Sequence, residues 1–217
     1  VLFAAGPPCP DFSVVNSSAL GRFGSEGAKF DLYCDLVESL EPLLRPRTIV
    51  HLCENVVCHN PEDAAHFSKR LRAQPIVVDS ADTALVSRPR LFWTRKPWTE
   101  PNVSPFTGKP LKWGKVHKTP RLIMDGPVMT ASDLELPPDT WLHPSVVNRS
   151  KTIPCFTTPA PTDDGRAPPK RQRGTIDPAT RHRWLSDARC FAPWQYQEHA
   201  MLSTWNHQFV VLPPEAK

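Results

Sequence analysis

The chain opens with Val1-Leu2-Phe3-Ala4-Ala5-Gly6-Pro7-Pro8-Cys9, a short apolar run that stops at a glycine and two prolines. An apolar run of this length, bounded by turn-forming residues, predicts a buried strand that ends in a rigid loop. Cys9 therefore follows directly on a predicted strand. Because neither a polar lead-in nor a helix cap precedes the run, we expect the chain to begin inside a strand and to be a fragment of something longer.

Patterns of helix and strand alternate over the residues that follow. Apolar residues recur every three or four positions from Ala28 to Leu44, which predicts an amphipathic helix. The segment Asn60-Pro61-Glu62-Asp63 combines a helix cap, a first-turn proline and two acids, and it predicts a helix that runs to about Arg72. Apolar, β-rich runs predict further strands at residues 48–53, 76–78 and 91–93.

This alternation predicts an α/β fold with a mostly parallel sheet covered by helices. In such sheets, ligands bind at the carboxyl ends of the strands. Cys9 and Glu54 each come directly after, or at the end of, a predicted strand. The topology therefore predicts that both residues lie on the same rim of the sheet.

The composition is that of an ordinary globular protein. Its 217 residues suffice for one domain with a sizeable core, and a net charge of +4 permits nucleic-acid binding without establishing it. No stretch approaches the roughly 20 apolar residues that span a bilayer, and no signal peptide is recognisable at the start. Six scattered cysteines do not suit a disulfide scaffold, and the spacing of Cys53 and Cys58 does not suit zinc. We therefore expect no metal and a reducing, intracellular compartment.

The segment from Lys96 to about Ser150 is rich in proline and basic residues, and its pattern predicts irregular structure. Trp98 and Trp113 are interleaved with it. Its lysines either contact phosphates or belong to a solvated loop. The charged residues of its central part are all basic: Lys109, Lys112, Lys115, Lys118 and Arg121.

A second proline-rich loop covers residues 159–173 and ends in the basic run Pro168–Arg173. That run is typical of either a linker or a localisation signal. The apolar pattern that follows the loop predicts a helix over Ala192–Ser203.

Three short segments bring polar functional groups to the ends of predicted strands. They are Gly6-Pro7-Pro8-Cys9-Pro10-Asp11-Phe12-Ser13, Cys53-Glu54-Asn55-Val56-Val57 and Ser87-Arg88-Pro89-Arg90-Leu91-Phe92-Trp93. In this order and spacing they resemble the proline-cysteine, Glu-Asn-Val and Arg-x-Arg motifs of DNA cytosine-5 methyltransferases, and their flanks are most similar to the eukaryotic de novo type. The resemblance is clear over residues 1–97 and weaker around 151–158 and 189–202. Each motif alone is uninformative, so their joint occurrence carries the resemblance.

The resemblance implies a partial Rossmann-like sheet of S-adenosylmethionine-dependent methyltransferases and a covalent mechanism. Cytosine becomes nucleophilic at carbon 5 when a thiolate adds to carbon 6, and an acid at ring nitrogen 3 and an arginine assist that addition. By position, Cys9 resembles the nucleophile and Glu54 the residue that binds and protonates the flipped base. Arg90 resembles the arginine that supports the base, with Arg88 beside it. The remaining implied contacts are Ser13, Asn55 and Val56 with the base or the DNA backbone, Lys112 and Lys115 with phosphates, and Pro8 with the methyl donor.

The resemblance also implies parts that this sequence lacks. The family binds its cofactor, S-adenosylmethionine, largely through a glycine-bearing motif that precedes the cysteine motif, and a final motif would follow Lys217. We therefore expect an incomplete donor pocket and no methylation by the isolated chain. The predicted organisation is a catalytic half over residues 1–97, a target-recognition region with proline-rich loops over 98–175, and an incomplete helical return over 176–217.

The expected partners are DNA, the N-terminal part of the same domain, and a second copy or a homologue in an oligomer, with no membrane involved. The family branch implies a nuclear location. Two other functions stay open. Pro154-Cys155-Phe156-Thr157 resembles a feature of the branch that methylates cytosine in transfer RNA. A catalytically inactive homologue that binds DNA is the other alternative.

Overall fold

The computed structural model describes residues 1–13, 16, 19–47, 49–94, 103–155, 176–187, 191–206 and 208–211. Trp98, Phe156, Thr157 and the basic run 168–173 lie outside the described residues. The chain divides into two compact units, of which the first comprises Val1–Asp79 and Pro89–Gly126. The second comprises Ser80–Arg88 and Pro127–Lys217. These units do not coincide with the division at residues 97 and 175 that the sequence suggested.

The strands of the described residues, in chain order, are β1 Leu2–Ala5, β2 Val50–Val56, β3 Pro75–Asp79, β4 Val86–Ser87, β5 Pro89–Thr94, β6 Lys112–Val116, β7 Thr119–Ile123, β8 Thr140–Leu142, β9 Ile153–Pro154, β10 Met201–Thr204 and β11 Phe209–Val211. The α-helices are α1 Ala28–Leu43, α2 Pro61–Leu71, α3 Pro144–Val147 and α4 Pro178–Ser186. The two helices and four strands predicted before residue 95 are confirmed, with ends that differ by a few residues. No helix of the described residues combines the length and the apolar character needed to cross a bilayer.

The first unit contains a six-stranded sheet with the order β1-β2-β5-β3-β7-β6. β1 pairs with β2 and β3 pairs with β7 in parallel. β5 runs antiparallel to both β2 and β3, and β6 runs antiparallel to β7. Four of the six strands therefore share one direction, and the fold is mixed α/β and compatible with a Rossmann-like sheet.

The two helices of the first unit form for local reasons that the sequence already displays. On α1, the buried residues Phe30, Cys34 and Val37 recur at spacings of four and three, which places them on one face. At the start of α2, the Asn60 side chain accepts a hydrogen bond from the Glu62 backbone N–H at 3.0 Å. The helix ends at Arg72, which adopts a left-handed conformation.

A cluster of buried aromatic rings ties these helices to the sheet. The Phe30 and Phe67 rings stack with centroids 3.6 Å apart, and Phe12 meets both rings edge-on. Trp93 of β5 is fully buried, and its indole N–H donates to Ser68 Oγ at 3.0 Å. Because Phe12 belongs to the loop after β1, this core also fixes the loop that carries Cys9.

The prediction of irregular structure over Lys96–Ser150 is wrong for part of the segment. β6 and β7 form an antiparallel hairpin, which we call the basic hairpin (residues 112–123), and β7 extends the sheet beside β3. His117 takes a positive φ of 53° in the turn, as a tight hairpin requires. Burial of Leu122 and pairing with β3 supply the stabilisation that local sequence pattern does not reveal.

The second unit is built on a three-stranded antiparallel sheet, β11-β10-β8, and a short parallel pair, β4-β9. The helix predicted over Ala192–Ser203 is wrong. The segment instead forms two 3₁₀ turns, Pro193–Tyr196 and Glu198–Ala200, followed by β10. Leu202 is fully buried and pairs with Leu142 of β8, so long-range strand pairing prevails over the helix-like local pattern.

Candidate active site

The loop that follows β1, residues 6–13, is held to the neighbouring segments by backbone and side-chain hydrogen bonds; we call it the Cys9 loop. The Asn55 side-chain amide of β2 donates to the Pro7 carbonyl at 3.1 Å. The Cys9 carbonyl accepts from the backbone N–H groups of Phe12 and Ser13 at 3.0 and 3.1 Å, which closes a tight turn. The backbone around Cys9 is therefore fixed from both sides, while Cys9 itself is partly exposed.

Two side chains at the end of this turn anchor it in opposite ways. Phe12 is 1% exposed and packs into the aromatic core. The Asp11 carboxylate accepts two backbone hydrogen bonds, from Glu26 and Gly27, each at 2.9 Å. The turn is thus held by one apolar and one polar anchor in adjacent positions.

Glu54 and Arg90 form a direct ion pair on one face of the sheet. Val56 of β2 lies opposite Arg90 of β5, and Glu54 lies opposite Phe92, so Glu54 and Arg90 are diagonal neighbours across an antiparallel pair. Arg90 Nε donates to Glu54 Oε1 at 2.9 Å. The side chains are 36% and 20% exposed, so the pair remains accessible to a ligand. A partly exposed pair adds little to stability, and its contribution is to orient the carboxylate.

The parallel pairing of β1 and β2 brings the Cys9 loop beside this ion pair. Ala5, the last residue of β1, lies opposite Cys53 of β2. A Cβ atom at Gly6 would lie 3.3 Å from Glu54 Oε2, so the loop begins in contact range of that carboxylate. An open cavity of about 350 Å³ lies here, lined by Ala4, Ala5, Gly6, Leu52 and Glu54.

Two of the other residues predicted for the site, Asn55 and Val56, take internal positions, whereas the remaining three do not. Asn55 is 1% exposed, and its side chain joins β2 to the Cys9 loop and accepts from the Val56 N–H. Val56 packs against the apolar core of the first unit. Ser13 and Pro8 are partly exposed members of the Cys9 loop. Arg88 belongs to the second compact unit.

The lysines predicted to contact DNA lie on β6, the strand at the other end of the sheet order. β6 is four strand positions from β2, or about 19 Å at the usual spacing between strands. Lys112 and Lys115 are both exposed, and their separation by three residues places them on opposite faces of the strand. The structure therefore does not bring them together with Glu54 and Arg90, nor with each other on one face.

Three other cysteines of the first unit have thiols whose pKa is raised by burial. Burial raises the pKa of Cys34 and of Cys58 to about 12, and it raises the pKa of Cys53 still further. Because the thiolate is the nucleophilic form, these three thiols are unreactive near neutral pH. Among the described residues, no group of three or more potential metal ligands comes together.

Sequence reasoning missed two contributors to this geometry. Asp11 appears in the motif, but its partners Glu26 and Gly27 lie 15 and 16 residues away, and no local pattern connects them. Gly6 reads only as a strand terminator in the sequence, although the structure shows that its missing side chain makes room for the Glu54 carboxylate. The glycine spacing Gly21, Gly24 and Gly27 was a signal for close backbone packing.

The arrangement has the elements of a covalent site: a partly exposed thiol in a fixed turn, a carboxyl group beside the first residue of the loop that carries the thiol, and an arginine in contact with that carboxyl group. A thiol of this kind can add to an electron-poor double bond while the carboxyl group transfers a proton. No protein-family model matches this chain.

Proposed function

We propose that this chain carries the nucleophile-bearing half of a DNA cytosine-5 methyltransferase. The observation that supports the proposal is the Glu54–Arg90 ion pair at the rim where the Cys9 loop begins. Three motifs that are distant along the chain resemble one family in order and spacing. Glu54 and Arg90, from two of those motifs, are in direct contact, and the third motif starts beside them.

In the proposed reaction, the Cys9 thiolate adds to carbon 6 of cytosine, and the electrons of the C5–C6 double bond move toward ring nitrogen 3. Glu54, in its protonated form, hydrogen-bonds that nitrogen and donates its proton to it, which balances the charge of the added thiolate. Arg90 holds the Glu54 carboxyl group in place and stabilises the charge that develops on the ring. Carbon 5 is then nucleophilic. After methylation, a base such as water removes the carbon-5 proton, departure of the thiolate restores the C5–C6 double bond, and the proton on ring nitrogen 3 returns to the Glu54 carboxylate.

S-adenosylmethionine would supply the electrophilic methyl group. The cavity beside Glu54 does not fit this donor by itself, because Ala4, Ala5, Gly6 and Leu52 bring no polar side chain to a ribose or an amino-acid group. Pro8 remains a predicted contact. In the proposal, the groups that bind the donor come from residues other than these four.

DNA has to deliver the target base outside its helical stack, because a thiol cannot reach carbon 6 of a stacked base. Unstacking costs a few kcal/mol, and contacts with the phosphate backbone offset this cost. In the proposal, the exposed lysines of the basic hairpin and those around it contribute such contacts.

The experiment is covalent trapping with the full-length product of the gene that encodes this chain. The protein is incubated with S-adenosylmethionine and duplex oligonucleotides that contain 5-fluorocytosine, whose carbon-5 fluorine cannot leave as a proton. We expect a protein–DNA adduct that survives denaturing electrophoresis, with Cys9 as the modified residue in peptide mapping. Cys9→Ser should abolish the adduct, whereas Cys155→Ser, a change at another partly exposed cysteine, should retain it.

Each outcome has a defined meaning. An adduct that persists in Cys9→Ser would remove Cys9 from the mechanism. Trapping on fluorinated transfer RNA but not on DNA would transfer the proposal to the RNA-modifying branch. A protein that binds DNA but forms no adduct would leave only a binding function.

A further inference from the structure

We propose that Asp11 is a positioning residue that clamps the Cys9 loop to the start of α1 and thereby sets the orientation of the nucleophile. The proposal rests on the proposed function for its catalytic consequence. The clamp itself is a structural claim that can be tested separately through the reactivity of the Cys9 thiol.

The contacts of the Asp11 carboxylate are specific and long-range. One oxygen, Oδ2, accepts hydrogen bonds from the backbone N–H groups of Glu26 and Gly27, both at 2.9 Å. These groups immediately precede α1, where N–H groups lack partners within the helix and the helix dipole favours a negative charge. A single carboxylate thus satisfies two donors and joins the loop to the helix.

The glycine segment before α1 is shaped around this carboxylate. A Cβ atom at Gly24 would lie 2.1 Å from Asp11 Oδ2, a distance that real atoms cannot adopt. The backbone N–H of Gly21 donates to the Asp11 carbonyl at 2.9 Å. The segment therefore encloses both the side chain and the backbone of Asp11.

The clamp acts on Cys9 through the turn between them. The Cys9 carbonyl accepts the N–H groups of Phe12 and Ser13, so Asp11 lies inside the hydrogen-bonded turn that Cys9 begins. Asn16 adds a side-chain hydrogen bond to the Pro10 carbonyl at 3.0 Å. Because Phe12 anchors the chain in the core independently, loss of the Asp11 carboxylate should loosen the turn without unfolding the unit.

The first test compares the natural protein with Asp11→Ala and Asp11→Asn. We expect Asp11→Ala to lower the rate of covalent trapping about tenfold, because small misplacements of a reacting group have large effects on rate. Asp11→Asn should recover part of the rate, since its amide oxygen can still accept a hydrogen bond. Asp133→Ala provides the matched control, because Asp133 also accepts a backbone N–H, that of Thr130, but in the second unit.

Thiol labelling distinguishes positioning from general loss of stability. With iodoacetamide at pH 8, we expect Cys9 to be labelled about threefold faster in Asp11→Ala, because a loosened turn exposes the thiol. Cys34 and Cys53 serve as internal reporters of unfolding, since each is at most 1% exposed and burial raises the pKa of both thiols, which keeps them unlabelled in the folded unit. Faster labelling of Cys9 together with slower trapping is the signature of the clamp.

A double-mutant comparison tests the contact itself. Gly24→Ala should slow trapping in the natural background, because the new methyl group displaces the Asp11 carboxylate. In the Asp11→Ala background the same change should have less than a twofold effect, since that collision is gone. Gly114→Ala is the control glycine change, because a Cβ atom there meets its nearest neighbour at an ordinary 3.6 Å.

The proposal is overturned if Asp11→Ala leaves both Cys9 labelling and trapping within twofold of the natural protein. It is also overturned if the buried thiols are labelled as fast as Cys9, because the variant would then simply be unfolded. If the natural protein forms no adduct, the proposed function fails, and Cys9 labelling still decides whether the clamp exists.

Discussion

The Cys9 loop and the basic hairpin both present functional groups to solvent, but they are built differently. In the Cys9 loop, the backbone on either side of the thiol is tied by hydrogen bonds to β2, to α1 and to itself. In the basic hairpin, Lys112 and Lys115 project from an edge strand on opposite faces. Covalent chemistry requires one geometry, whereas attraction to phosphates tolerates many. We therefore expect substitutions in the two regions to differ in both size and kind of effect.

The largest expected effect comes from the ion pair beside the Cys9 loop. Glu54→Gln or Arg90→Lys should lower the rate of covalent trapping about 10²- to 10³-fold, as does the loss of a preorganised group that stabilises developing charge. DNA affinity should change little, so the measurement is the trapping rate at saturating DNA. Glu62→Gln, at an exposed acid of α2, is the matched control. A similar loss in this control would show that charge alone, and not the site, is responsible.

A smaller effect is expected from the link between β2 and the Cys9 loop. Asn55→Ala removes the donor to the Pro7 carbonyl and should slow trapping about tenfold. The free energy of unfolding, measured with urea, should fall by about 1–3 kcal/mol, because the partly buried Pro7 carbonyl loses its partner. Asn148→Ala, at an exposed position of the second unit, should change stability by less than about 0.5 kcal/mol. Trapping at the natural rate in Asn55→Ala would mean that the loop does not need this anchor.

The smallest effect is expected in the basic hairpin. Lys112→Ala and Lys115→Ala should each weaken DNA binding by no more than about fivefold, and a contacting lysine should reduce the salt dependence of binding by about one unit of slope. Because the two lysines lie on opposite faces, we expect the two variants to differ. Trapping at saturating DNA should stay unchanged in both. If either lysine variant lowered the trapping rate as much as Arg90→Lys does, the basic hairpin and the Cys9 loop would not differ in the way proposed.

The sequence predicted the helices and strands of the first unit that precede residue 95 because their signals are local. The spacing of Phe30, Cys34 and Val37 indicates a helix face, and Asn60-Pro61 marks the start of a helix. The sequence also predicted that Cys9 and Glu54 share one edge of the sheet. The structure places Glu54 within β2, beside the start of the Cys9 loop, and the meeting of the two side chains stays a prediction. The contact between Glu54 and Arg90 required the register of β2 with β5, which no local pattern specifies.

Elements that depend on distant partners were predicted poorly. Met201 and Leu202 belong to a segment whose apolar pattern predicted a helix. They form strand β10 instead, because β8 and β11 pair with it on either side. The basic hairpin was not predicted, because Pro120 and the lysines favoured irregular structure. The alternation around Trp113 is nevertheless typical of a strand. The anchoring role of Asp11 was equally invisible, since it depends on backbone groups of a separate segment.

Among the described residues, β1 pairs with a strand on one side only, and this pairing with β2 comprises four residue pairs. The strand that leads to the nucleophile is therefore paired along one edge only, whereas the Cys9 loop after it is tied to β2 and to the segment before α1. A polypeptide that paired with the outer edge of β1 would hold this strand from both sides. It would thereby also restrict the motion of the Cys9 thiol. Completion of the sheet along β1 and correct placement of the Cys9 thiol would then depend on the same contact.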